Sequence, residues 1–143
     1  TDIIDISGKI DKKKLARIAF QDEDHQQRLN YVVHPHIHQE IDKYFQKILG
    51  AGKHELFIVD AALIYESGYD SHLDYVIVIS AQLKHRMERA LDRKTLSRDE
   101  ILKRIEFQWP EEDKTNIADY VIHNDGTELE LKNQIDELYN TLV

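Results

Sequence analysis

The chain has 143 residues, no cysteine, and 27 acidic against 19 basic side chains, for a formal charge of −8. A length of this order suits one domain with a core that needs no disulfide or structural metal. The missing cysteine excludes a thiol nucleophile, a cysteine zinc site and an iron–sulfur cluster. The acidic balance argues against a whole-surface affinity for nucleic acid or anionic membrane. No apolar run approaches the roughly 20 residues that span a bilayer, and the first residues do not form a signal peptide, so the sequence predicts a soluble, cytoplasmic protein.

In chain order, Ser7-Gly8 is a turn signal. Gly8-Lys9 has the look of a phosphate loop, but Ile10 follows the lysine and no first glycine precedes it, so G-x-x-x-x-G-K-[ST] is not met. Asp11 predicts the cap of a helix with Leu15, Ile18 and Ala19 on one side, and Asp22 the cap of a second that buries Leu29, Val32 and Val33. His34-Pro35 predicts the start of a third, since proline suits the first helical position. Ile37, Ile41, Tyr44, Phe45 and Ile48 follow at helical spacing, and Gly50 and Gly52 stop it. His34, His36 and His38 suggest a metal site, yet such a helix turns His36 and His38 about 200° apart. His34 then reads as a cap or a substrate contact, and the other two as solvated.

Residues 56–59, Leu-Phe-Ile-Val, predict a strand apolar on both faces, as one covered by helices on each side must be. Asp60 follows it. A carboxylate at the carboxyl end of a buried strand lies where open α/β sheets bind ligands, although Asp60 could equally cap the turn. Residues 74–80 predict a second buried strand, with Ser80 capping a helix from Ala81 to about Arg93 whose stripe is Leu83, Met87, Ala90 and Leu91. Arg86, Arg89 and Arg93 fall on a neighbouring face, where three guanidiniums need an anion opposite. That basic segment continues to Arg104 and reads either as an anion clamp or as a solvated helical surface.

Ser97-Arg-Asp-Glu100 is a capping box that opens the second arm of a basic helical hairpin, ended by Gln108-Trp-Pro110. Trp109 reads as partly buried packing. After a helical turn near residues 114–118, residues 119–124 predict a third strand closed by Asp125-Gly126. Thr127-Glu-Leu-Glu130 is a second capping box, and Leu131, Ile135, Leu138 and Leu142 stripe the last helix. Strands alternating with helices predict a parallel sheet.

This order of motifs resembles dephospho-CoA kinase, a P-loop kinase. The segment from Gly8 to Phe20 is similar to the family's approach to its substrate-binding helices, and Leu29-Asn-Tyr-Val-Val-His-Pro35 to its histidine–proline segment. Val59-Asp-Ala-Ala-Leu-Ile-Tyr-Glu66 resembles its D-x-P-L-L-x-E strand, with Ala62 in place of the proline. Arg89 to Arg93, Leu96 to Glu100 and Arg104 to Gln108 are similar to its lid, and Ala118 to Gly126 to its adenine-side strand and loop.

The resemblance implies an α/β fold, a three-layer parallel sheet of P-loop kinase type with helical substrate-binding and lid insertions. The family's first strand, phosphate loop and catalytic aspartate have no counterpart in these residues, so the resemblance implies a single, incomplete kinase domain. Its CoA-side helices cover about residues 9–54, its core 55–80 and 119–143, and its lid region 81–118. The implied reaction is ATP- and Mg2+-dependent phosphorylation of the ribose 3′-hydroxyl of dephospho-CoA, the last step of coenzyme A biosynthesis. By the same resemblance Arg93 and Arg89 act on ATP phosphates, with ion pairing to Asp92, Asp99 or Glu100 as the alternative. Asn124 and Gly126 border the adenine or serve only the turn. His34, Asp60, Glu66 and Lys13, with Lys12, lie towards substrate, although solvation explains the lysines nearly as well. A different class stays open, a non-catalytic CoA- or nucleotide-binding regulatory module, and self-association is undecided.

Overall fold

The structure is a computed structural model that describes residues 3–143, so Thr1, where the opening turn segment begins, lies outside the described residues. The chain divides into two compact units, Thr1–Gly52 and Lys53–Val143.

In the first unit Ile4 and Ile10 form an antiparallel bridge around a turn stapled by Asp5. One Asp5 carboxylate oxygen accepts the Ser7 and Lys9 backbone N–H groups at 2.8 and 3.0 Å. Gly8 takes φ +80°, a region open to glycine at little steric cost. Gly8-Lys9 is therefore a hairpin turn in which the Lys9 N–H points at the Asp5 carboxylate and the Gly8 N–H at the Asp5 carbonyl, 3.0 Å away. Helix α1, Lys12–Ala19, is capped by Asp11, which accepts from Lys13 and Lys14 N–H, as the sequence predicts.

Helix α2, Glu23–Ala51, is capped by Asp22 through His25 N–H and ends at Gly52 with φ +61°. It corrects the expectation of a separate helix starting at Pro35, because its 29 residues run through the proline. Pro35 deprives the Tyr31 carbonyl of its helical donor. Tyr31 is 85% exposed, so that carbonyl lies on the water side, where solvent can replace the lost bond. Gly50 stays helical and Gly52 alone forms the stop. His34 and His38, one turn apart on α2, stack with ring centroids 6.1 Å apart.

The second unit holds a parallel pair, β1 (Ile77–Ser80) and β2 (Tyr120–His123), in the register Ile77 opposite Tyr120 through Ser80 opposite His123. Before β1 come α3 (Ile64–Ser67) and a 3-10 turn, Tyr69–His72. Between the strands run α4 (Leu83–Asp92), α5 (Arg98–Glu106) and α6 (Glu111–Ile117), and after β2 comes α7 (Glu128–Leu142). Both capping boxes form: Ser97 with Glu100 opens α5, and Thr127 with Glu130 opens α7. Tyr65, Tyr69, Ala81, Met87, Ile101 and Ile122 are buried and form the core of this unit.

Two further expectations are corrected here. Residues 56–59 belong to no strand. Their apolar side chains alternate between half-buried and exposed, with Ile58 80% exposed, because no neighbouring strand takes up their backbone groups among the described residues. Ser80 does not cap α4. The cap position belongs to Gln82, which offers no side-chain bond of its own, and the Ser80 hydroxyl is turned to Glu111. Among the described residues no helix is long and apolar enough to cross a membrane.

Candidate nucleotide and lid site

The carboxyl ends of β1 and β2 converge on the start of α4. The Ser80 carbonyl accepts the Asn124 N–H at 2.7 Å, extending the ladder one step past the strands. Glu111, first residue of α6, gathers three donors at this end. Its Oε1 accepts the Ser80 hydroxyl at 2.5 Å and the Ala81 N–H at 3.1 Å, and its Oε2 pairs with the Arg86 guanidinium. A carboxylate shared by a strand end, a helix and a guanidinium fixes the start of α6 against α4. Glu111 thus supplies an anion to one of the three arginines of α4, Arg86.

The loop after β2 grips the same helix. Asp125 Oδ1 accepts the Gln82 N–H at 2.7 Å and lies 3.0 Å from His85 Nδ1. The Gln82 N–H, and after it His85, holds the Asp125 carboxyl below the usual carboxylate range. An ionised carboxylate only accepts, so His85 must donate through Nδ1–H. One turn further along α4, Arg89 donates to the Asn124 carbonyl at 2.9 Å. Arg89 and Asn124, read separately in the sequence as a phosphate contact and an adenine-side residue, meet directly. A shallow cleft of about 400 Å³ adjoins this loop, lined by His123, Asp125, Gly126, Glu130, Asn133 and Gln134.

Arg93 follows the last residue of α4, is exposed, and its guanidinium has neither hydrogen bond nor ion pair among the described residues. The chain reverses immediately after it at Lys94, whose φ is +53°. Asp60 is likewise exposed without a polar partner among the described residues. Glu66 is not. Its side chain is only 9% exposed and its Oε1 accepts from Lys114 Nζ at 2.5 Å and from the Trp109 N–H at 2.9 Å. The second oxygen, Oε2, is buried with no hydrogen-bond partner. Trp109 stacks on Tyr65 at 6.1 Å, but at 47% exposed it is more open than the partly buried packing the sequence predicts. His34 is half-buried on α2, and Lys13 extends from the first turn of α1 into solvent.

Gly126 has a definite local reason. Its backbone does not need positive φ, but an added Cβ would fall 2.2 Å from Glu130 Oε2. That oxygen accepts the Thr127 N–H at 2.6 Å and its hydroxyl at 2.9 Å, bonds that also lower the Glu130 pKa. Gly126→Ala should displace the carboxylate from the box and lower the unfolding midpoint by a few degrees. In a Glu130→Ala background the same change should cost almost nothing. Equal costs in the two backgrounds, measured by thermal unfolding, would show that the glycine does not serve the cap.

Sequence reasoning missed Glu111, His85 and Asp125. Glu111 follows Pro110 in an acidic first helical turn, a weak signal, and Asp125 reads as one more turn residue.

Comparison with known proteins agrees with the arrangement. The sequence model of the family described as dephospho-CoA kinase matches residues 1–130. A dephospho-CoA kinase of Chlorobaculum tepidum is 36% identical over 141 residues, covering 97% of this chain and 67% of that protein. One from Aquifex aeolicus is 36% identical over 98% of this chain and 69% of its own length. One from Bacillus cereus is 32% identical over 95% and 68%. The chain thus spans about two thirds of the length of these relatives. Among solved structures, TT1252 from Thermus thermophilus superposes with a TM-score of 0.76 at 29% identity, covering 98% of this chain and 71% of that one. A dephospho-CoA kinase from Campylobacter jejuni gives 0.62 at 27%, covering 100% and 72%. With the parallel strand pair, the arginine-bearing helix at its carboxyl end and the sequence match in agreement, the chain belongs to the dephospho-CoA kinase family.

Proposed function

We propose that these residues form the substrate- and lid-bearing part of a kinase that transfers the γ-phosphoryl group of ATP to the ribose 3′-hydroxyl of dephospho-CoA. The observation that carries the reading is the state of the three arginines beside the strand ends. Arg86 is held by Glu111 and Arg89 by the Asn124 carbonyl, while Arg93 has no partner among the described residues. A guanidinium kept free at the end of a fixed helix suits a group whose charge spreads over three oxygens during transfer. In that step the ribose 3′-oxygen bonds to the γ-phosphorus, the bond from phosphorus to the ADP oxygen breaks, and the hydroxyl proton goes to a base. Asn124 and Gly126 border the adenine, and His34, Lys12 and Lys13 serve dephospho-CoA.

Mg2+ would accompany ATP and neutralise charge between its phosphates. Such an ion keeps several waters and needs only one or two protein carboxylates. Asp60, exposed and unpaired among the described residues, fits that requirement, whereas Glu66 is committed to Lys114.

The same reading supplies a finer fold. Val76 and Ser80 direct their carbonyls to the β2 side, so the alternate residues Ile77 and Ile79 direct theirs to an edge with no ladder partner among the described residues. Ile79 is 55% exposed, and residues 56–59, apolar in sequence, join no ladder among the described residues. We read both as flanks of one further parallel strand in a three-layer P-loop kinase sheet, with residues 9–54 on the CoA side and 81–118 as the lid. Since no G-x-x-x-x-G-K-[ST] occurs in the 143 residues, the reaction requires a phosphate cradle from outside them. A biosynthetic kinase of this type would work in the cytoplasm. The test is ATP turnover with dephospho-CoA by the protein from the full reading frame. Binding of CoA or ATP with no turnover would replace this reading with a regulatory module.

A further inference from the structure

We propose that Asp125 is a positioning residue that couples the nucleotide-side loop to the start of the lid helix α4, with His85 as its partner. The inference rests on the nucleotide reading of that loop and adds a residue to it. Three helices of the second unit, α4, α5 and α7, differ in how they begin. For α5, the N–H of the cap residue Ser97 is taken by Glu100 at 2.8 Å, and for α7 the N–H of Thr127 is taken by Glu130 at 2.6 Å. In each case the acceptor sits three residues beyond the cap. On α4 that position is His85, which holds no carboxylate to reach back to Gln82.

Asp125 fills the role from 43 residues away. Its Oδ1 accepts the Gln82 N–H at 2.7 Å, in the geometry that the local glutamates provide elsewhere. His85, placed where the glutamate would be, donates to the same oxygen at 3.0 Å. Arg89, four residues on and so on the same face, then closes on the Asn124 carbonyl at 2.9 Å. Two consecutive loop residues hold three points of one helix.

The consequence is specific. A capping box built from local residues would stabilise α4 and leave the loop free. Here the cap belongs to the loop, so the orientation of α4 and the conformation of residues 124–126 are set together. With Asp125 shortened, Gln82 and His85 lose their acceptor and the loop loses two of its three ties to α4. A nucleotide would then have to order the loop on binding, which weakens affinity without touching the transferred phosphoryl group.

The experiment uses the full-length protein and compares Asp125→Ala with Asp125→Asn, which keeps an acceptor oxygen for both donors. Asp125→Ala should raise KM for ATP about tenfold, with kcat and KM for dephospho-CoA within about twofold. Asp125→Asn should restore most of the ATP effect. Unchanged KM for ATP in Asp125→Ala, or equal rises for both substrates, would reduce Asp125 to a helix cap and overturn the proposal. Amide hydrogen exchange gives a readout that does not need turnover. Asp125→Ala should expose Gln82 N–H while Ser97 and Thr127 N–H stay protected, and calorimetry with ATP should show the same loss of affinity. If the wild-type protein binds ATP but transfers nothing, the kinase reading falls and these two measurements still decide the coupling. Equal exchange at Gln82 in both proteins, or no ATP binding by the wild type, overturns it.

Discussion

Glu66→Ala is expected to destabilise the Lys53–Val143 unit by about 3–5 kcal/mol, a large part of the total stability of an ordinary domain. The reason lies in what remains. Lys114 is 14% exposed and Glu66 9%, so truncation leaves an ammonium with little access to water and removes the acceptor of the Trp109 N–H. Lys114 also reaches the Ala62 carbonyl at 3.3 Å, which can offset only part of the loss because a carbonyl carries no full charge. Replacing both partners by leucine should recover most of the stability, since the penalty comes from one unpaired charge more than from the absence of the pair. Denaturant unfolding of the single and double variants measures this. A loss below about 1 kcal/mol for Glu66→Ala would place the pair with ordinary surface ion pairs. The glutamate also holds α3 against α6 through Lys114.

Arg93→Ala is expected to lower kcat of the full-length protein by about 100- to 1,000-fold, with binding of ATP and dephospho-CoA changed by less than about threefold. The side chain is exposed and has no hydrogen bond or ion pair among the described residues, so the melting temperature should not move. Arg93→Lys should recover only a fraction, because an ammonium lacks the planar fork that spans two phosphate oxygens. Arg86→Ala gives the contrast. It strips Glu111 of its guanidinium and should lower stability before it affects turnover. An Arg93→Ala variant with equal losses in binding and turnover would remove Arg93 from the transfer step.

The parts of this structure legible in the sequence are those decided within a few residues. Asp11 and Asp22 cap their helices, and Ser97 with Glu100 and Thr127 with Glu130 form their boxes, because donor and acceptor lie within one turn. The parallel pairing of residues 77–80 with 120–123 was legible from the alternation of strands and helices. Pro35 misled because local preference favours a helix start there, whereas the water-facing side of a long helix tolerates the missing donor. Residues 56–59 misled for another reason. Their composition fits a strand, but a strand exists only with a neighbour to pair with. Glu111 and Asp125 were out of reach, since their partners lie 25 to 43 residues away and only a weak local signal, the acidic turn after Pro110, marks either of them. The sequence therefore identified the arginines of α4 and left unseen the two carboxylates that decide what those arginines do.

The central claim is that this chain carries the lid and substrate side of a dephospho-CoA kinase. Its most direct test is to express the protein from the full reading frame and follow ADP release from ATP with and without dephospho-CoA, identifying the product by mass. One ADP should appear for each dephospho-CoA consumed, with the phosphate on the ribose 3′-oxygen and no release when that hydroxyl is already phosphorylated. Nucleotide binding without transfer, or ADP release indifferent to dephospho-CoA, would contradict it.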